Sequence, residues 1–261
     1  MALEPLTTRT AVLESASAFE LRLGTYSPGS YQAPHAHSLP VVSLILSGRV
    51  GETVGRREGG GELAWMSVKP PDVRHSDAYG PEGAIILSAV IRDPALWALS
   101  SGPSEWRWRP LAALRHREIV SHLAAVGRGA SGDDLVSELL ATAVEAPAAT
   151  GAPPAWLRRV AERLREEPEV PVASIAAAEG VHRVYLARSF RRWYGVSPRT
   201  FRRRAKTSTA LGDTLFRGEP PARSAHGAGF ADQSHMARAI REATGLPLFG
   251  LRALLGPTAR I

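Results

Sequence analysis

Three histidines and two groups of helix-spaced polar residues are the side chains here whose type and spacing could do chemistry. His35 and His37 stand two apart, the interval that puts both side chains on one face of a strand. His75 follows the turn Lys69-Pro-Pro-Asp72 and can approach the same pocket from a neighbouring strand. Three neutral imidazoles with open positions can hold Zn²⁺ or another divalent metal. The plainer reading of the same residues is the polar lining of a small-molecule pocket, and it is the one preferred here. The second set lies near the C-terminus: Val184, Ala187, Arg188 and Arg191, with Arg183 beside them, and Gln233, Ser234 and Arg238, with His235 beside them. Arginine forks onto guanine, glutamine pairs with adenine, and small side chains let a helix approach base edges closely.

The elements that would position this second set form a repeat. Ala176-Ala-Ala-Glu-Gly180 is followed by Leu186, Phe190, Gly195 and Pro198, and about 50 residues later Ala225-His-Gly-Ala-Gly229 is followed by Met236, Ile240, Gly245 and Pro247. An alanine, a glycine four residues on and a helix with apolar residues every four positions outline a helix-turn-helix. In the first copy Leu186, Phe190 and Trp193 form the expected buried stripe, leaving the polar set on the opposite face. Arg202-Arg-Arg204 and Lys206, after the first copy, are expected to touch phosphates and set register.

Charge supports this division. The chain of 261 residues carries a net charge of +7, but residues from Ala155 onward hold 19 Lys+Arg against 9 Asp+Glu, and the remainder 13 against 16. A basic, arginine-rich tail on an acidic body is the pattern of a nucleic-acid-binding domain attached to something else. There is no cysteine, so disulfides and thiolate metal sites are excluded. No apolar run reaches the roughly 18 residues of a membrane span. The N-terminus shows no basic segment followed by an apolar one, so no signal peptide is expected. A cytoplasmic protein with no membrane partner is the expectation.

The tail is similar to the tandem helix-turn-helix domain of AraC/XylS-type transcription regulators. The residues that carry the likeness are Gly229-Phe-Ala-Asp-Gln-Ser-His-Met-Ala-Arg238, Gly245-Leu-Pro247, Leu251-Arg252, Tyr185-Leu-Ala-Arg-Ser-Phe190 and Gly195-Val-Ser-Pro198. The resemblance implies seven helices, with two recognition helices held by a linking helix in successive major grooves. It makes Val184, Ala187, Arg188, Gln233, Ser234 and Arg238 the base-facing residues. Ile240, Leu251 and Ala205 depart from the family's usual Phe, Tyr and Arg, all at structural positions. Farther upstream, Gly29, His35, His37, Val41 and Gly48, then Pro70, Asp72 and His75, resemble the two cupin motifs. Val41 stands where the family has an acidic ligand and Asp72 where it has glycine.

The expected fold class is α+β. A cupin-like β-barrel sensor fills residues 1–110, with strands near Phe19–Leu23, Val41–Leu46, Leu63–Val68 and Ala84–Ile91 and turns such as Gly59-Gly-Gly61. Residues 111–146 form a helical subdomain, with Leu111, Leu114, Ile119, Leu123 and Val126 on one stripe, for packing or dimerisation. Residues 147–154 are a Pro/Ala/Gly linker, and 155–261 the DNA-binding domain. Trp65, Tyr79, Trp97, Trp106 and Trp108 are expected to fill the core rather than line a cavity. The function expected is a non-enzymatic, sequence-specific regulator that binds double-stranded DNA. Its partners are a small effector or metal, a second copy in a homodimer, and RNA polymerase if it activates. The alternative is a metal-dependent cupin enzyme with a basic DNA-tethering tail, which the missing acidic ligand disfavours.

Overall fold

The computed structural model describes residues 6–99, 105–144 and 153–255. Most of the expected linker, 147–152, lies outside them. The N-terminal part is an eight-stranded antiparallel sheet: β1 (Thr8–Ser15), β2 (Phe19–Tyr26), β3 (Tyr31–His35), β4 (Val41–Val54), β5 (Arg57–Glu62), β6 (Trp65–Lys69), β7 (His75–Ile91) and β8 (Arg107–Pro110). The path runs β1-β2-β7-β4-β6-β8, with β3 paired to β7 and β5 to β4. Alternation sorts the side chains to two faces. Val42, Leu44, Met66, Val68, Ile85, Leu87 and Ala89 enter the large core beneath the helices. Their neighbours Ser43, Ser67, Lys69, Ser88 and Val90 line a cavity on the other face. Positions one residue apart therefore make an apolar face against the helices and a mixed polar and apolar face around the cavity.

Gly59, Gly60 and Gly61 are not a turn, because they lie inside β5. The physical reason is close approach: a Cβ at Gly59 would sit 2.2 Å from the Trp106 ring and one at Gly61 2.4 Å from the Trp65 Cβ.

Helix α1 (Pro94–Leu99) precedes β8, and α2 (Ala113–Val126) and α3 (Asp133–Val144) follow it. Ile119, Val120, Leu123 and Val126 of α2, and Leu135, Val136, Leu139 and Leu140 of α3, are buried in the core under the sheet. Packing thus accounts for these stripes. Leu114 is not part of one: it is 58% exposed, and the buried residue of that turn is His116.

The tail contains seven helices among the described residues: α4 (Ala155–Glu166), α5 (Val172–Ala178), α6 (Arg183–Tyr194), α7 (Pro198–Leu215), α8 (Pro221–Gly227), α9 (Gln233–Thr244) and α10 (Leu248–Leu255). Leu157, Val160, Leu164, Ile175, Leu186, Phe190 and Phe201 give the first helix-turn-helix its own core. The second has none. Phe230, Met236, Ile240, Leu246 and Leu251 belong to the same buried cluster as the sheet, α2 and α3. Ile240 and Leu251 are fully buried, so both departures from the family pattern act as ordinary core residues. Among the described residues no helix is long and apolar enough to cross a membrane.

Candidate nucleic-acid interface and sensor pocket

Local signals fix both candidate recognition helices. At the start of α6 the His182 side chain accepts from the Val184 amide, and at the start of α9 Asp232 accepts from the His235 amide at 2.7 Å. Both helices end on a left-handed glycine, Gly195 and Gly245. In α6 the buried stripe is Leu186, Phe190 and Tyr194, while Trp193 is only half-buried. Tyr194 takes the buried place because its ring stacks on Phe190 and meets Phe201 of α7 edge-on.

The opposite faces are open. Arg183, Val184, Arg188 and Arg191 of α6 are exposed and Ala187 is half-buried. Gln233, Ser234, His235 and Arg238 of α9 are all exposed, and the His235 ring packs edge-on against Phe230. The arginines of α7 are different. Arg204 is buried deeply enough that desolvation lowers its pKa to about 10. Lys206 donates to the Gly229 carbonyl at 2.8 Å and pairs with Glu169, and Arg203 pairs with Glu242 at 2.7 Å. Arg202 holds Nε and Nη2 buried. Of the expected run of phosphate contacts, Arg203 stays exposed while Arg202, Arg204 and Lys206 are partly buried, because α7 packs against the sheet and both helix-turn-helix units.

Within the barrel the three histidines meet. Ring centroids lie 4.3 Å apart for His35 and His75, 5.0 Å for His35 and His37, and 5.1 Å for His37 and His75. His35 ends β3 and faces His75, the first residue of β7, while His37 lies just beyond the strand. Asp72 adopts φ +60° beside them and its amide donates to the His37 carbonyl at 2.8 Å. Aspartate tolerates this left-handed conformation better than most residues, so it does here what glycine does in the motif.

Two carboxylates that the spacing did not reveal complete the cluster. Glu52 Oε1 lies 3.6 Å from His75 Nε2, and Asp77 Oδ2 lies 3.9 Å from both His35 Nε2 and His75 Nε2. The carboxylate missing at Val41 is thus supplied farther along β4. Glu52 is held by Lys69 at 2.6 Å and by the indole N–H groups of Trp106 and Trp108. Burial opposes its ionisation, but Lys69 and these hydrogen bonds bring its pKa below the usual carboxylate range. Burial together with the neighbouring Glu52 pushes Asp77 up to about 7. Burial, then Lys69, drives His37 down to about 4 and His75 down as well. Tyr79 and Trp108 line this cavity rather than merely filling the core, and Tyr79 donates to Gln32 at 3.0 Å.

The donor set fits a divalent cation. His35 and His75 each place Nδ1 near a backbone carbonyl, Ala33 at 3.0 Å and Val73 at 2.9 Å. That leaves Nε2 as the lone-pair atom turned toward the cluster. His75 Nε2 and Asp77 Oδ1 are buried without hydrogen-bond partners.

A family model described as a helix-turn-helix domain matches residues 175–253. No curated protein sequence matches the chain. Among solved structures, ToxT from Vibrio cholerae O395 is similar at TM-score 0.40 and 14% identity, covering 96% of this chain and 98% of that one. Unsaturated fatty acid bound wild-type ToxT from Vibrio cholerae strain SCE256 is similar at 0.41 and 10%, covering 98% of each chain. KdgF from Halomonas sp. is similar at 0.31 and 13%, covering 37% of this chain and 90% of that one. The functional reading rests on the domain match and on this chain's own residues. Residues 175–253 are a helix-turn-helix domain, carried by a chain whose N-terminal part is an antiparallel β-sheet followed by helices.

Proposed function

We propose that the protein is a sequence-specific transcription regulator of the AraC type. Two recognition helices, α6 and α9, read double-stranded DNA, and a ligand in the barrel controls them. The observation that carries this reading is the pair of capped helices with exposed Arg188/Arg191 and Gln233/Ser234/Arg238 faces. The division into a sensor over 1–110, helices over 111–146, a linker over 147–154 and a reader over 155–261 belongs to the same proposal. So do the remaining partners: a second copy in a homodimer, and RNA polymerase where the protein activates. Arg188→Ala or Arg238→Ala should cost ~1–3 kcal/mol of discrimination. Gel-shift competition between a selected duplex and random duplex measures it, and undiminished selectivity in both variants removes the assigned roles.

The barrel cavity, about 130 Å³, is small beside the roughly 300–1,000 Å³ typical of drug-sized ligands. A compact polar effector suits its histidine, serine and tyrosine lining. A ligand there can switch the protein only by favouring one arrangement over another. A divalent metal such as Zn²⁺ on His35, His37 and His75 is the second reading, favoured by the unpartnered donor atoms. Such an ion would supply a fixed positive charge between the histidines and Asp77. Metal analysis of the purified protein beside its His37→Ala variant decides it: stoichiometric zinc lost in the variant supports the metal, and none in either leaves the polar effector.

A further inference from the structure

The sensor helix α2 lies against the second recognition helix. A Cβ on Gly245, at the end of α9, would stand 2.2 Å from the Val120 carbonyl, and one on Gly127 would stand 2.8 Å from Leu246 Cδ2. His116 of α2 is buried beside Ala243 of α9. Backbones this close cannot slide independently, so α2 and α9 form one rigid unit.

Beside this contact runs an open groove of about 1540 Å³. Arg117 and Arg128 line it from the sensor, and Arg238 and Arg241 from α9. All four are exposed, and none makes a side-chain hydrogen bond or ion pair among the described residues. The acid on the groove wall, Glu242, is already held by Arg203. Glu118, the acid of α2, is held by Arg115 at 3.1 Å. Elsewhere on this net-acidic half, Arg22 and Arg92 pair with Glu20, and Arg49 with Glu82. Two free arginines beside a recognition helix are thus a local concentration of positive charge against the sign of their own domain.

A major groove is about 12 Å wide and a helix with its side chains about 10 Å across. Long side chains reaching from an element packed beside the end of an inserted helix are therefore within reach of the phosphate strands bordering that groove. Arg238, a base-facing candidate, shares its groove with Arg117. We propose that α2 is part of the DNA interface, with Arg117 and Arg128 binding backbone phosphates that flank the groove entered by α9. The proposal rests on α9 being a recognition helix. It also gives the sensor a direct grip on the operator, since the other side of α2 is anchored on the sheet.

The test uses the full-length protein, a duplex enriched by in vitro selection and a shuffled duplex of equal length, titrated at several KCl concentrations. Arg117→Ala and Arg128→Ala should each weaken binding to both duplexes by a similar factor. Each should also make the slope of log affinity against log salt shallower by about 1. Arg117→Lys and Arg128→Lys should restore most of the slope. Arg238→Ala should instead erode the preference for the selected duplex. Wild-type affinity and slope in both alanine variants, with preference lost in Arg238→Ala, overturns the α2 contact and leaves the recognition helix standing. Undiminished preference in Arg238→Ala removes the reading beneath the proposal.

Discussion

His116 shows how one side chain can tie ionisation to the joint between two halves of a protein. It is 5% exposed, packed between α2 and α9, and its Nε2 has no hydrogen-bond partner. Burial, reinforced by Arg204, lowers its pKa from 6.5 to about 3. The unfolded chain therefore takes up a proton that the folded one refuses across this interval. The neutral ring's contribution is complete above about pH 6.5 and is lost as pH falls toward 3. His116→Leu should flatten the fall of Tm over that window, followed by thermal melts at half-unit pH steps. An acid limb identical to wild type would show that the imidazole is not responsible. The histidine triad was visible at this scale because the i, i+2 spacing and a turn announced it. Glu52 was not. Ser43 and Ile45 face the barrel interior on odd numbers, but a residue inserted between Ile45 and Ser47 shifts the parity, and Val50 and Glu52 face inward on even ones.

At the scale of elements, the repeat glycines do more than terminate helices. Gly195 and Gly245 hold φ of +71° and +73°, and each also faces a carbonyl outside the tail, Leu111 O at 2.9 Å and Val120 O at 2.2 Å from where a Cβ would stand. Gly180, at φ +67°, has open space around it. Gly245→Ala therefore meets both backbone strain and a clash with α2, and should cost about 2 kcal/mol or more. Gly180→Ala carries the strain alone and should cost about 1 kcal/mol. Urea denaturation of the two variants compares them directly, and equal losses would mean that the α2 contact at Gly245 yields freely. The helix ends were legible because capping is local. The contact with α2 was not, since nothing near Gly245 in the chain encodes Val120.

Across the whole molecule the two helix-turn-helix units differ in what supports them. The first keeps its own core and meets the sensor through charged and aromatic contacts. Arg165 forks onto Glu62 of β5 at 3.0 Å and lies over the Phe201 ring at 4.9 Å, while Trp65 meets Tyr194 edge-on. Burial raises the Glu62 pKa despite Arg165, so the pair is strongly dependent on its partner staying in place. Glu62→Ala leaves a largely buried guanidinium without its main counter-ion and should cost ~3 kcal/mol. The first unit should then loosen from the barrel, measured as faster amide exchange in α4 and β5 with α9 unchanged. A uniform increase over the chain would instead mean global destabilisation. The second unit shares the sensor's core, so it cannot be released from the sheet without exposing Met236, Ile240 and Leu251.

The amino-acid sequence by itself determined the paired helix-turn-helix, its exposed basic faces and the split of charge between the two halves. These depend on periodicity and on contacts within a few residues, which the order of residues encodes directly. The tertiary structure alone decided which carboxylates join the histidines, which α7 arginines are buried, and that α2 packs beside α9. Each of these depends on strand register or on the meeting of segments more than 20 residues apart, which local pattern does not specify.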